Sequence, residues 1–461
     1  MVSQNIAVID IGKTNVKLAL VDAKTLEEVC VITQPNTVLS GPLWPHFDVD
    51  SHWKFLRDGL KNFHATHGVS AISITTHGAC CALLDGHGNL AAPILDYEHS
   101  GPDEFTDAYD KIRPPFSETG SPRLPMGLNL GAQLYWMFKT DPQLKARTTQ
   151  IVTYPQFWGH LLTGVAATDV TSLGCHTDLW NPYKCVPSSL VSSLEIEDKI
   201  APTLKPFDVL GPIRHELATE LGLHSNTPVY CGIHDSNASL LPKLKANKPP
   251  FSVVSTGTWV IAMSIGGKSV TLDPAKDTLV NVNAFGEPVP SARFMGGREF
   301  DLLLAGQIVE PTDDDIFRIL TSGTMLLPAV VSENGPFQGR AHRWVGDEPK
   351  FGSGERAACV GFYLALATAY CLEQTGHLGN LHVEGPFSRN QTFLNMLSAA
   401  MDSPVLATES ATGTSQGAAL LTGIYQNPAN DPPVRQFSGR KDFAAYAKLW
   451  RETVKGAQQG R

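Results

Sequence analysis

The chain has 461 residues, more than one core comfortably accommodates, so two large domains are expected. Its 42% hydrophobic and 18% charged content suits a globular protein, and a net charge of −9 without long basic runs argues against partners such as nucleic acid or an anionic membrane. Eight cysteines, none in a C-x-x-C pair, point to reduced thiols and a cytoplasmic setting.

The opening "MVSQNIAVID" lacks the charged region and apolar core of a signal sequence. The next stretch, "IDIGKTNVKLALVD" (9–22), holds Gly12-Lys13-Thr14, the ending of a Walker-type phosphate loop. The first glycine of such a loop would stand five residues earlier, where the chain has Ala7. Beyond the tripeptide, Val16, Leu18 and Leu20 alternate with Lys17, Ala19 and Val21, which is the period of a strand and not of a helix. The segment is therefore strand, tight polar turn, strand, and the Walker reading fails. A hairpin tip can still hold phosphate. Gly12 admits close backbone approach, Thr14 supplies a hydroxyl, and Lys13 and Lys17 supply charge. Asp10 would repel phosphate directly and suits the water shell of Mg²⁺. An ordinary hairpin with a polar tip satisfies the same pattern.

Further along, "VSAISITTH" (69–77) reads as a buried strand, "NLGAQLYWMFKT" (129–140) as a helix, and "YPQFWGHLLTG" (154–164) as a helix closed by Gly164. "TPVYCGI" (227–233) is a strand leading into a helix that starts within "HDSNASLL". "LPKLKANKPP" (241–250) reads as a polar linker broken by prolines. After it, "FSVVSTGTWVIAMSIGG" (251–267) repeats the strand–polar turn–strand unit, with Ser255, Thr256, Gly257 and Thr258 as the turn. Two such units suggest duplicated domains, 1–245 and 251–461. The uncharged run from Ala357 to Leu372 is short for a membrane span and rich in small residues, so a buried core helix is expected. A strand over 381–385, a helix from Asn390 to Met401, a glycine-containing entry into a helix in "TGTSQGAALLTGIY" (412–425) and an amphipathic tail helix complete an α/β class.

Taken together, Asp10-Ile-Gly12-Lys13-Thr14-Asn15, Ser255-Thr256-Gly257-Thr258 and "VEGPFSRN" (383–390), with "HLLTG" and "TSQGAALLTG", resemble the FGGY family of carbohydrate kinases. The similarity covers most of the chain, in the expected order. It implies two actin-like, ribonuclease-H-like α/β domains around a central ATP and sugar cleft. Carried over position by position, it implies Gly12, Lys13, Thr14 and Lys17 in a first phosphate site and Thr256, Gly257 and Thr258 in a second. Gly385, Pro386 and Asn390 would lie against the adenosine, with Gly296 of "FMGGREF" nearby. Lys13 stands where many members have Thr, and Pro386 replaces a common second glycine.

An alcohol is a poor nucleophile until its proton can move to a nearby base. Asp235, in "CGIHDSNA", ends an apolar strand and opens a helix; the resemblance assigns the catalytic aspartate to this Gly232-x-x-Asp235 position. A helix-capping Asp fits the same place. Asp10 and Asp235 are expected to flank Mg²⁺, mainly through water. For the sugar, "TTHGACCALLD" (75–85) matches the first-domain ligand position of relatives, making His77 and Gly78 candidates, although a lone strand-end histidine is equally a satisfied core residue. Xylulokinase-like members carry Gln-Met before His-Gly, where this chain has Thr75-Thr76. "LDYEHS" (95–100) stands where many relatives show Trp-x-Asp-x-Arg, leaving Asp96, Glu98 and His99 open, with Asn129 and Gln156 as further contacts. His234 beside Asp235 resembles the His-Asp pair of rhamnulokinase-type members.

The implied activity is ATP-dependent phosphorylation of a small ketose, a deoxy-ketohexose such as L-fuculose or L-rhamnulose. A pentulose such as xylulose, or a polyol, is the alternative acceptor. A non-catalytic nucleotide- and sugar-binding sensor on the same scaffold is the alternative from another class. The implied partners are the sugar and ATP, with neither nucleic acid nor membrane, and a homodimer is left open.

Overall fold

The structure is a computed structural model that describes residues 4–408, 413–424, 434–438 and 440–459. The alternation in residues 5–22 becomes an antiparallel hairpin. β1 (Asn5–Ile11) and β2 (Asn15–Asp22) pair with Asp10 opposite Lys17 and Ile11 opposite Val16. β3 (Glu28–Pro35) adds antiparallel to β2. Helix α1 (Val49–His67), whose first turn is held by Asp48 accepting from the Ser51 N–H, carries the chain to β4 (Ala71–Thr76), which runs parallel to β1.

Helices α2 (Leu130–Thr140) and α3 (Tyr154–Thr163) form where the helical period predicts them, and Gly164 closes α3 in the left-handed conformation. β5 (Val209–Pro212) follows. The expected strand over 227–233 is interrupted at Cys231 and Gly232, giving β6 (Pro228–Tyr230) and β7 (Ile233–His234), both parallel to β4. The first sheet has the order β5-β6-β4-β1-β2-β3, with β7 also on β4. Helix α4 (Asp235–Ala246) corrects the linker expectation, because residues 241–246 are helical with Pro242 inside the helix.

After α4, β8 (Phe251–Thr256) and β9 (Val260–Ile265) repeat the antiparallel hairpin. β10 (Thr278–Val282) and β11 (Pro288–Phe294) follow, then α5 (Gly296–Leu304), α6 (Gly354–Gln374), β12 (Asn380–Glu384), α7 (Gln391–Met401) and β13 (Val405–Thr408). Helix α8 (Thr414–Leu420), β14 (Val434–Phe437) and α9 (Lys441–Gln459) end the order. The second sheet runs β10-β11-β9-β8-β12-β13-β14, with β12 parallel to β8 and β13 parallel to β12. The two sheets thus share one plan. An antiparallel meander (β3-β2-β1 or β11-β9-β8) is extended by two parallel strands (β4, β6 or β12, β13), as a ribonuclease-H-like duplication requires.

The uncharged run of 357–372 lies in α6 and is buried in the core of the second unit with Phe393, Leu397 and Trp450. The tail helix α9 buries Phe443, Tyr446, Ala447, Trp450 and Val454, one face at helical spacing. The compact units are not two continuous segments. The first takes residues up to 246 together with 280–288 and 413–424, and the second takes the remainder. Helix α8, read from sequence within 251–461, therefore belongs to the first unit. There Ala418, Ala419 and Leu420 share a core with Ile6, Val8, Ala238 and Leu241.

Candidate active site

In the first unit the sheet register places Asp10 opposite Thr75, and Ile233 opposite Thr75 from the other side, so β1, β4 and β7 finish together. His77 and Asp235 come immediately after those ends. The carboxyl ends of parallel strands are where open α/β sheets bind ligands.

Asp235 is the first residue of α4, with 29% of its side chain open to solvent. Its Oδ1 accepts the Ser236 N–H at 2.6 Å and lies 3.2 Å from His234 Nε2. Among the described residues, Oδ2 has no hydrogen bond. Burial raises the carboxyl above its ordinary range, opposed by the nearby His77 ring and the Ser236 N–H. The strand end beneath it is anchored by residues that carried no sequence signal. The His234 N–H donates to Thr171 Oγ1 at 3.0 Å, and that hydroxyl donates to Asp169 Oδ2 at 2.5 Å. Asp169 is fully buried and also accepts the Thr171 and Ser172 N–H groups. Gly78 makes room for this arrangement, since a Cβ there would lie 2.9 Å from His234 Nε2.

His77 is buried among Phe47, Tyr97 and Tyr154. Its Nδ1 donates to the Gly78 carbonyl at 2.9 Å, while Nε2 is buried without a hydrogen-bond partner among the described residues. Burial pushes the His77 and His234 rings down to about 4, so both are neutral near pH 7.

Asp10 Oδ2 accepts from Lys17 Nζ at 3.1 Å and from the hydroxyl of Thr414, the first residue of α8. Burial raises its carboxyl, Lys17 and Thr414 lower it, and the charge of Asp235 raises it again, which puts the two aspartates within electrostatic reach. Among the described residues no group of three or more His, Cys, Asp or Glu could hold a metal. Two hard carboxylate donors, the remaining shell being water, are the set Mg²⁺ accepts.

At the first turn the Gly12 N–H donates to the Asn15 carbonyl at 2.9 Å. Asn36 buttresses it from β3's end, its side chain donating to the Gly12 carbonyl at 2.7 Å and its N–H to the Thr14 carbonyl at 2.9 Å. Thr14 is exposed at the tip. Lys13 is not free there. Its ammonium is paired with Asp96 and, at 3.2 Å, with Glu98, and lies over the Tyr97 ring at 4.6 Å from the centroid. Asn129 and Gln156 are fully buried and internally engaged. Asn129 bridges Leu124, Pro122 and His176, and Gln156 donates to the Cys231 carbonyl. They brace the fold and present nothing to a sugar. His99 packs edge-on against Trp136.

The second unit repeats the turn, with the Gly257 N–H donating to the Trp259 carbonyl at 2.9 Å and Gly257 and Thr258 exposed. The Thr256 hydroxyl is engaged, donating to the Glu384 carbonyl at 2.6 Å and accepting the Phe387 N–H at 3.1 Å, so it ties the turn to "EGPF". Gly385 has φ 83°, and a side chain there would fall on the Thr256 carbonyl, which only glycine tolerates. Pro386 opens a short 3₁₀ turn, and Asn390 caps α7 by accepting the Phe393 N–H at 2.9 Å. Gly296 opens α5, and the N–H of its neighbour Gly297 reaches the Thr258 carbonyl at 3.2 Å.

Fold and strand ends together define a duplicated ribonuclease-H-like α/β protein with paired carboxylates at one sheet's edge. The family model for the N-terminal domain of the FGGY family of carbohydrate kinases matches residues 5–242, and that for the FGGY C-terminal domain matches residues 248–431. The chain belongs to the FGGY family of carbohydrate kinases. It is similar to the L-fuculokinase of Escherichia coli (strain K12), 24% identical over 277 residues that make up 57% of each chain. It is also similar to the rhamnulokinase of Bacillus subtilis (strain 168), 24% identical over 47% of this chain and 44% of that one. The chain thus spans about half the length of the curated relatives it matches, 57% of the L-fuculokinase and 44% of the rhamnulokinase. The crystal structure of a carbohydrate kinase from Novosphingobium aromaticivorans superposes with a TM-score of 0.91 at 31% identity, over 99% of this chain and 100% of that one.

Proposed function

We propose that this protein transfers the γ-phosphoryl group of ATP to a hydroxyl of a small ketose, with a deoxy-ketohexose such as L-fuculose or L-rhamnulose as acceptor. The observation that carries this is Asp235: a partly open carboxylate at a strand end, one oxygen held beside His234 and the other unoccupied. As the sugar oxygen bonds to the γ-phosphorus and the bond to the β,γ-bridging oxygen breaks, ADP leaves and the hydroxyl proton passes to Asp235 Oδ2. The raised affinity of this carboxyl for a proton favours that transfer. His77 Nε2, a buried acceptor lacking a donor, takes a second sugar O–H and orients the ring. The partly exposed Tyr97 ring beside His77 offers an apolar face to a deoxy carbon.

The Gly12–Thr14 turn and Lys17 are the phosphate ligands of the first unit. Gly257 and Thr258 are those of the second unit, with the Gly385–Asn390 segment and Gly296 serving the adenosine. Asp10 and Asp235 would hold Mg²⁺ through its water shell, and the ion supplies charge neutralisation on the phosphates. The names of the two curated relatives support a deoxy-ketohexose acceptor. An ADP-release assay across L-fuculose, L-rhamnulose, D-xylulose and glycerol tests the reading. Sugar-dependent release that disappears in Asp235→Asn is expected, and unchanged release in that variant removes Asp235 as the base.

A further inference from the structure

Lys13 stands at the tip of the first turn, yet its charge is engaged by neighbouring side chains. Its ammonium meets two carboxylates, Asp96 and Glu98, and rests over the faces of Tyr97 at 4.6 Å and Phe47 at 5.2 Å. The same two rings pack against His77, at 5.3 and 5.2 Å between centroids. One cation set against two anions leaves this corner net negative, which repels phosphate. The two carboxylates flank Tyr97, whose ring packs on His77, the residue proposed above to orient the sugar, and they differ in access. Glu98 is 57% open, while Asp96 is 10% open. Lys17 is shared between Asp10 and Glu28, so its charge reaches a phosphate partly neutralised and does not replace that of Lys13.

We propose that Lys13 is a sugar-operated latch: its ammonium is held by Asp96 and Glu98 until a sugar hydroxyl donates to those carboxylates in its place, and only then turns to the phosphate at Gly12–Thr14. The flexible four-carbon stem allows the swing, and the aromatic faces keep the ammonium within the site during exchange. The latch makes sugar and nucleotide binding mutually reinforcing. Because such coupling is reciprocal, bound nucleotide tightens the sugar by the same factor that the sugar tightens the nucleotide. This mechanism rests on the kinase reading above.

The test uses the full-length protein and the non-hydrolysable analogue AMPPNP with Mg²⁺, followed by calorimetry without any sugar. Glu98→Gln loosens the latch and is expected to tighten AMPPNP about fivefold, within the usual range of coupling between sites. In a Lys13→Met background the same Glu98→Gln change is expected to alter affinity by less than about twofold, the difference being the double-mutant coupling. With whichever of L-fuculose, L-rhamnulose, D-xylulose and glycerol supports ADP release, wild type should bind AMPPNP more tightly than without it, and Lys13→Met should lose that gain. Equal effects of Glu98→Gln in both backgrounds overturn the latch while leaving the kinase reading intact. Failure of the wild type to bind AMPPNP at all overturns both. Should Lys13→Met not fold, Lys13→Gln replaces it in the same cycle.

Discussion

Gly417→Ala tests the packing that brings α8 into the first unit. In α8 a new Cβ at this position would fall on the Ala238 carbonyl oxygen and lie 2.5 Å from its carbon. Both are α4 backbone atoms that cannot rotate away, and α4 carries Asp235 at its first residue. Pro242 explains why the carbonyl is there. It has no N–H to donate four residues back, so the Ala238 carbonyl is released from the helix ladder and faces the neighbouring helix. Replacing glycine by alanine within a helix should stabilise by about 1 kcal/mol through propensity alone. Against this stands overpacking of roughly 1–3 kcal/mol. Shifting α8 also loosens the Thr414 bond to the Asp10 carboxylate, a charged hydrogen bond contributing about 1.5–3 kcal/mol. The balance is a loss of about 3 kcal/mol, or roughly 6–12 °C in melting temperature for a unit of this size. Gly456→Ala in α9 is the control, since nothing lies within 4 Å of a Cβ there. It should hold or raise the melting temperature. Scanning fluorimetry on both variants reads the difference, and a Gly417→Ala protein as stable as wild type would refute the close helix contact.

Asp235→Asn should lower turnover by roughly 10²–10⁴-fold, the usual contribution of a general base, while leaving the melting temperature unchanged or higher because a desolvated charge is removed. Thr414→Val should raise the Mg²⁺ concentration needed for half-maximal rate several-fold by freeing Asp10, at a stability cost of about 1.5–3 kcal/mol; a metal titration of the rate checks this, and chelation should abolish turnover in both proteins. The histidines set the acid limb of stability. His77 and His234 are held at about 4 in the fold against an ordinary 6.5, so the unfolded chain binds more protons between those values. Their contribution is complete above 6.5 and is lost as pH falls towards 4, roughly 3 kcal/mol for one such ring and less than twice that for the neighbouring pair. Melting temperature measured across this window should fall, and His77→Gln should flatten the slope.

What was legible in the sequence follows from how local each signal is. The hairpin around Gly12 was readable because its alternation and its missing loop glycine, replaced by Ala7, lie within a few residues. The same holds for α6 and α9, whose lengths and apolar spacing announce buried and amphipathic helices. The fate of α8 was not readable. "TSQGAALL" is a short run of small residues, and what places it is a contact with Ala238 far away in sequence. Pro242 misled for a related reason: a proline usually ends a helix, but here the orphaned carbonyl meets Gly417. Asp169, Asn36 and Thr414 act on the site through hydrogen bonds to groups distant in sequence, Asp169 by way of Thr171, so no spacing reveals them. Conversely Asn129 and Gln156 look free as letters and are fully engaged in space.

The duplicated plan also shows that ionisable side chains concentrate beside one copy of the turn. The two turns are alike in backbone, each glycine N–H closing on a carbonyl two or three residues on. Their flanks are not. Two residues before Gly12 stands Asp10, paired across the hairpin with Lys17; two residues before Gly257 stands Ser255, paired with Ile261. The parallel strand beside β1 is followed by His77, whereas the parallel strand beside β8 is followed by Gly385, with the backbone of Glu384 and Phe387 gripping Thr256. A turn flanked by ionisable side chains can hold a cation and pass a proton. A turn flanked by neutral, mutually bonded groups can offer only N–H donors to an anion. Placing an aspartate at position 255 would therefore add a charge with no lysine opposite it. A Ser255→Asp variant should weaken nucleotide binding without supplying any new catalytic carboxylate, which a comparison of its nucleotide affinity and its turnover would show.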